Sequence, residues 1–185
     1  MKFIIEHLEP GLYKWCILEY KHISEIVGKE NLIFTNIKSG SDKLKRLGKV
    51  FRESIKKLNF KKVCILDPVA KQTLSTEDKN KFDYLTLGGI LGDYPMKKRT
   101  EIELSSKMNI EKRNLGKEQM STDTAVYVAN EILRGKSLKD FKFKDEIKIE
   151  IEKGESIQLP FRYVIINNKP LLPKGLIKYL KEHPF

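Results

Sequence analysis

Four short apolar runs punctuate the first half of the chain: "KFIIEHL" (2–8), "NLIFTNI" (31–37), "KKVCILDP" (61–68, stopped by Pro68) and "DYLTLGG" (83–89). Each reads as a strand. Between the first two, residues 11–28 set Leu12, Trp15, Cys16, Tyr20, Ile23 and Val27 at helical spacing, and Gly28 closes the run. Between the second and third, residues 42–58 set Leu44, Leu47, Val50, Phe51, Ile55 and Leu58 on one face and most Lys and Arg on the other, with Ser39 or Ser41 as the cap. Strands alternating with helices across short connections require a parallel sheet with helices on both faces, the α/β class.

The second half is less regular. Residues 69–82 predict a loop or short helix, and "NIEKRNLG" (109–116) a short polar strand. A helix is expected over 123–134, with Ala125, Val128, Ala129 and Ile132 on one face, Ser121 or Thr122 as N-cap and Gly135 as terminator. The tail alternates in "IKIEI", continues in the strand "FRYVIINN" and closes with the helix "KGLIKYLKEH". The 185 residues are 40% hydrophobic and 33% charged, a globular mixture. No apolar run is long enough to span a membrane, and "MKFIIEHLEPG" turns acidic too early for a secretion signal, so a cytoplasmic protein is expected. Cys16 and Cys64 lie in apolar stretches, and the three histidines are scattered, so no metal site is expected. The net charge of +11 draws phosphate, and RNA or ribosomes are the partners it suggests.

The chemistry is concentrated in "YLTLGGILGDYP" (84–95), where Gly88, Gly89 and Gly92 interrupt apolar residues and Asp93 follows. Glycine at a strand end marks a special backbone angle or a close approach by a ligand or another chain segment. A dinucleotide fold would carry its glycines after the first strand, where this chain has "LEPGLY", and no phosphate-loop pattern occurs. The glycines come instead after the fourth strand, with a second turn at Leu115–Gly116.

The pair "LGGILGDYPMKKRT" (87–100) and "RNLGKEQMSTDTAVYVANEIL" (113–133) resembles the SPOUT methyltransferases. More narrowly, it resembles a family of ribosomal-protein arginine methyltransferases known from yeast. "EHLEPGLYKWCILEY", "LDP" and "LPFRYV" extend the likeness over nearly the whole chain. The resemblance implies a C-terminal trefoil knot and a core over 1–140, with 141–185 as an extension packed on it near the substrate site. It implies S-adenosylmethionine, bound by Leu66, Asp67 and Pro68 in a first loop and by Leu87, Gly88, Gly89, Gly92 and Asp93 in a second. Asn114, Leu115, Gly116, Met120, Ser121, Thr122 and Thr124 would form the third. Leu87, Ile90, Leu91 and Leu115 would give the adenine an apolar wall.

A guanidinium stays protonated to a pKa above ~12, so methylating it requires carboxylates that bind it and draw off a proton. Asp93, Glu101, Glu103, Glu118 and Asp123 lie near the glycine loops. Asp93 and Asp123 flank them and come first as catalytic candidates, followed by Glu101 and Glu103, although an acid in a helix's first turn also serves the macrodipole. Arg99 and Thr100 would order the loop over the substrate. The expected activity is arginine methylation of a small-subunit ribosomal protein, by a monomer; a dimer stays open. The alternatives are an RNA methyltransferase of the same class and a non-catalytic protein that binds RNA or ribosomes.

Overall fold

The computed structural model describes residues 1–92, 95–152 and 155–183. Its main sheet has six strands: β1 (Lys2–His7), β2 (Leu32–Thr35), β3 (Lys49–Val50), β4 (Val63–Leu66), β5 (Tyr84–Gly89) and β6 (Glu111–Arg113), in the order β3-β2-β1-β5-β4-β6. Every pairing within it is parallel. Side chains in a strand alternate between faces. Phe3, Ile5, Leu32, Phe34, Cys64, Leu66, Leu85 and Leu87 therefore enter one core, and Ile4, Ile33, Val63 and Ile65 enter another. Burial on both faces explains why these strands are continuously apolar in sequence.

The first face is covered by α1 (Lys14–Val27) and α3 (Thr122–Leu133), which pack against each other. Short helical turns cover the second, and they bring Ile55 and Leu104 against the sheet. A second, antiparallel sheet is formed by β7 (Phe143–Glu152), β8 (Glu155–Ile166) and β9 (Lys169–Pro170). It packs with α4 (Leu176–Glu182) and Trp15 of α1 around Leu159, Phe161 and Tyr163. Among the described residues, no helix is long and apolar enough to cross a membrane.

The helix expected over 42–58 does not form. Only α2 (Asp42–Lys45) and a separate single helical turn at Ile55–Lys57 are helical there, and Ser41 makes no side-chain cap bond. The helix ends at Lys45, and the chain then passes close against β2 at Gly48, where a Cβ would lie 2.6 Å from the Leu32 carbonyl oxygen. Lys49 and Val50 then pair with Ile33 and Phe34 as the sheet's edge strand. The apolar stripe is genuine but divided around that edge: Leu44 and Leu47 enter the first core, Phe51 and Ile55 the second. Pairing with β2 supplies hydrogen bonds that a solvent-facing helix would have had to make internally, so tertiary context overrides the local period. The expected 123–134 helix forms as α3, with Ser121 in the extended N-cap conformation. The Ser121 hydroxyl donates to Thr124 Oγ1 at 2.9 Å instead of bonding the helix backbone.

Candidate functional site

Parallel sheets present ligand crevices beyond the carboxyl ends of their strands. Here a cleft of about 840 Å³, open mouth included, lies beyond the ends of β4 and β5 and is closed by the segment leading into α3. Three stretches build it: Leu66–Pro68 with Val69, Leu87–Gly88 with Ile90 and Gly92, and Leu115–Gly116 with Met120 and Thr122. These were the three loops expected from sequence, brought together from positions some fifty residues apart. The lining is mostly apolar, with Glu118, Gln119, Thr100 and Arg99 at its polar side.

The glycines differ in what they do. Gly92 and Gly116 hold φ of +90° and +94°, a region that side-chain-bearing residues rarely enter. At Gly88 a Cβ would crowd Ile90 Cδ1, Thr100 Oγ1 and Leu8 Cδ1 at 3.0–3.2 Å, so bare backbone faces the cleft. Gly89 points the other way: a Cβ there would collide with the Tyr20 hydroxyl, and Gly89 does not line the cleft.

Other expected cofactor residues shape the cleft from behind. The Asp67 carboxylate is almost fully buried, accepting from the Val69 amide at 3.1 Å and from the Ser105 hydroxyl. Both oxygens are thus committed to closing the first loop. Asn114 ties loop to loop: its Oδ1 accepts from Gly116 N at 3.0 Å and Thr73 Oγ1 at 3.1 Å, and its Nδ2 donates to Ala70 O at 2.8 Å. Ser121 and Thr124 are buried at the start of α3. The Thr122 hydroxyl sits 3.4 and 3.3 Å from the carbonyl oxygens of Gly88 and Ile90, joining the second and third loops. Leu91 does not line the cleft; it packs between the two sheets' cores, and its amide donates to Glu9 Oε1 at 3.1 Å.

The carboxylates separate sharply. Asp93 lies outside the described residues. Asp123 does not line the cleft. It is 1% exposed, with Oδ2 2.7 Å from His22 Nδ1 of α1 and Oδ1 buried without a hydrogen-bond partner. Nearby Glu19, fully enclosed and accepting from Trp15 Nε1 at 2.9 Å, is held well above the usual carboxylate range, first by burial and then by the Asp123 charge. This acid pair inside the α1–α3 interface breaks the rule that buried helix faces are apolar, and periodicity gave no sign of it. Glu101 and Glu103 sit on the helical turn Thr100–Leu104, off the cleft lining. Glu103 Oε1 accepts from Arg99 Nε at 2.7 Å, while Arg99 also donates to Glu9 Oε1 and Leu8 O, each at 2.7 Å. Arg99 thereby staples the turn after β5 to the turn after β1. Of the acids considered from sequence, Glu118 alone among the described ones lines the cleft besides Asp67. Glu9 was the residue that sequence reasoning passed over, although it stands within the quoted "EHLEPG".

The chain matches the family described as "Protein arginine N-methyltransferase SFM1-like" over residues 2–184. It is 39% identical over 202 aligned residues to protein arginine N-methyltransferase SFM1 of Saccharomyces cerevisiae, covering 98% of this chain and 95% of the yeast protein. The crystal structure of the yeast arginine methyltransferase SFM1 complexed with SAM superposes with a TM-score of 0.88 at 37% identity, covering 98% of this chain and 90% of that one. The complex with SAH gives 0.87 at 36% identity, with 97% and 94% covered. Sequence and fold agree from end to end, and the chain belongs to the SFM1-like family of protein arginine N-methyltransferases.

Proposed function

We propose that this chain is an S-adenosylmethionine-dependent protein arginine methyltransferase whose target is a small-subunit ribosomal protein. The observation that carries the reading is the cleft at the sheet's carboxyl edge, walled by Leu66, Leu87, Ile90 and Leu115 and left open by Gly88, Gly92 and Gly116, in a chain of this family. Its mostly apolar lining with a few polar groups on one side suits a nucleoside-bearing cofactor. S-adenosylmethionine supplies an electrophilic methyl group when bound. Leu87, Ile90 and Leu115 would flank its adenine, and backbone at Gly88 and Gly116 would meet its polar edges.

The chain's own residues must then align a guanidinium for in-line attack and take a proton from it. Glu118 is the first described carboxylate to assign to that role, because it faces the cleft. Asp93, next to Gly92 in sequence, remains the other candidate for that role. Asp123 acts from behind, fixing the start of α3 through His22. Glu103, and through it Arg99, holds the cleft rim; Glu101 shares that turn.

The trefoil threading belongs to this proposal. It is supported by the way the loop after β4 embraces the later chain: Asn114 N donates to Gln72 O at 2.8 Å, Leu74 N to Asn114 O at 3.0 Å, and Thr76 Oγ1 to Ile132 O of α3 at 3.0 Å. So does a substrate role for residues 141–185, since Phe161 of β8 abuts Gly92. We place the protein in the cytoplasm, acting as a monomer.

The test is transfer of labelled methyl from S-adenosylmethionine to purified ribosomes, with proteins and RNA then separated. Label on an arginine of a small-subunit protein supports the reading. Label on RNA alone moves the substrate to nucleic acid, and absence of both transfer and cofactor binding refutes it.

A further inference from the structure

The chain's positive charge is concentrated in one place. Residues 42–62 hold nine Lys or Arg against Asp42 and Glu53, so seven of the net +11 charges fall in 21 of 185 residues. A basic excess that merely reflected composition would be spread along the chain. All nine cations (Lys43, Lys45, Arg46, Lys49, Arg52, Lys56, Lys57, Lys61 and Lys62) are exposed.

The fold explains why they all face outward. Leu44 and Leu47 are drawn into one core, and Phe51, Ile55 and Phe60 into the other. The segment thus wraps the free edge of the main sheet from its first face to its second with its apolar side inward, leaving its cations on the outside. Phe51 and Phe60 lock the wrap edge to face, with ring centres 6.0 Å apart, and Phe60 packs on Tyr84 at 4.8 Å. The track reaches the cleft: Lys56 Nζ donates to Glu103 O at 3.2 Å, on the same turn whose Arg99 and Thr100 line the cleft.

We infer that the outer face of residues 42–62 is an RNA-docking surface, which would hold an RNA backbone beside the mouth of the cleft. A run of nine exposed cations with a net charge of +7 suits a polymer carrying one phosphate per nucleotide. The inference goes beyond the methyl-transfer reading and does not depend on it.

The experiment measures binding of a fluorescein-labelled 20-nucleotide single-stranded RNA by anisotropy from 50 to 250 mM salt, without cofactor. Two variants of equal net charge are compared. One carries Arg46→Glu, Arg52→Glu, Lys57→Glu and Lys61→Glu; the other carries Lys144→Glu, Lys148→Glu, Lys174→Glu and Lys181→Glu. The first should bind at least about 100-fold more weakly and lose about 3 from the log–log salt slope, at ~0.7 per phosphate contact. The second should change less than about 3-fold, a difference in favour of location over net charge. Equal losses in both variants, or unmodified protein that binds polyglutamate as tightly as RNA, would overturn the inference. Lysine acetylation of the unmodified protein gives a check that needs no variant: RNA should protect Lys43, Lys57, Lys61 and Lys62 and leave Lys144 and Lys148 reactive. The reverse pattern also overturns it.

Discussion

Replacing Gly92 by alanine tests how the second sheet and the cleft are joined. Two penalties apply. The first is backbone: φ is +90°, and holding a non-glycine residue there costs about 1–3 kcal/mol. The second is steric: a Cβ would stand 2.5 and 2.6 Å from Phe161 Cζ and Cε1 and 2.8 Å from Gln119 Nε2. Phe161 is held in the core with Leu159 and Tyr163, so its ring can yield little, and overpacking of this kind costs about 1–3 kcal/mol. Together roughly 2–6 kcal/mol must appear somewhere. If the loop stays in place, stability falls, by about 2–4 °C in melting temperature per kcal/mol. If the loop moves to relieve the strain, the cleft loses a wall and cofactor affinity falls, tenfold for every ~1.4 kcal/mol. Calorimetric titration with S-adenosylhomocysteine and thermal melting, run on the same sample, should therefore show losses that sum to that range. Measured in a Phe161→Ala background, Gly92→Ala should cost less by the Phe161 share of the steric part and keep the backbone part. A Gly92→Ala protein that melts within 1 °C of the parent and binds within threefold would refute the reasoning.

Three further outcomes follow from other parts of the structure. Gly88→Val with Gly116→Val should weaken cofactor binding at least about 100-fold, since one change fills the cleft wall and the other forbids a φ of +94°; undiminished affinity by calorimetry would place the cofactor elsewhere. Arg113, 4% exposed, donates Nε to both Asp78 oxygens at 3.1 Å, so Arg113→Met should strand a buried carboxylate and cost about 3–5 kcal/mol by urea unfolding. Adding Asp78→Asn should recover part of that loss, and strictly additive effects would count against the pairing. Glu19 keeps its proton in the folded chain at pH values where the unfolded chain has released it, so stability should decline as pH rises from about 4.3 toward the raised folded value. Glu19→Gln should remove that decline, worth up to about 1.4 kcal/mol per pH unit, and parallel melting-temperature profiles of the two proteins from pH 4.5 to 8 would refute it.

The sequence alone determined the parallel sheet and most of its strands, because a strand buried on both faces must be apolar throughout, and "FII", "LIF" and "VCIL" record that directly. It also marked the loops of the cleft, because a backbone that must pass close to something else needs glycine whatever its surroundings. Tertiary structure decided the rest. The 42–58 stripe met the helical period, yet its residues went to opposite sides of the sheet, because an unpaired edge of β2 offered better partners than a free helix could. Gly88 and Gly89 are adjacent and identical in sequence, but the pleat turns one toward the cleft and the other onto Tyr20. The acids were legible only as a set. Which of them faces the cleft, which binds Arg99 and which is buried with His22 depends on where chain segments far apart in sequence come to lie, and no local pattern carries that information.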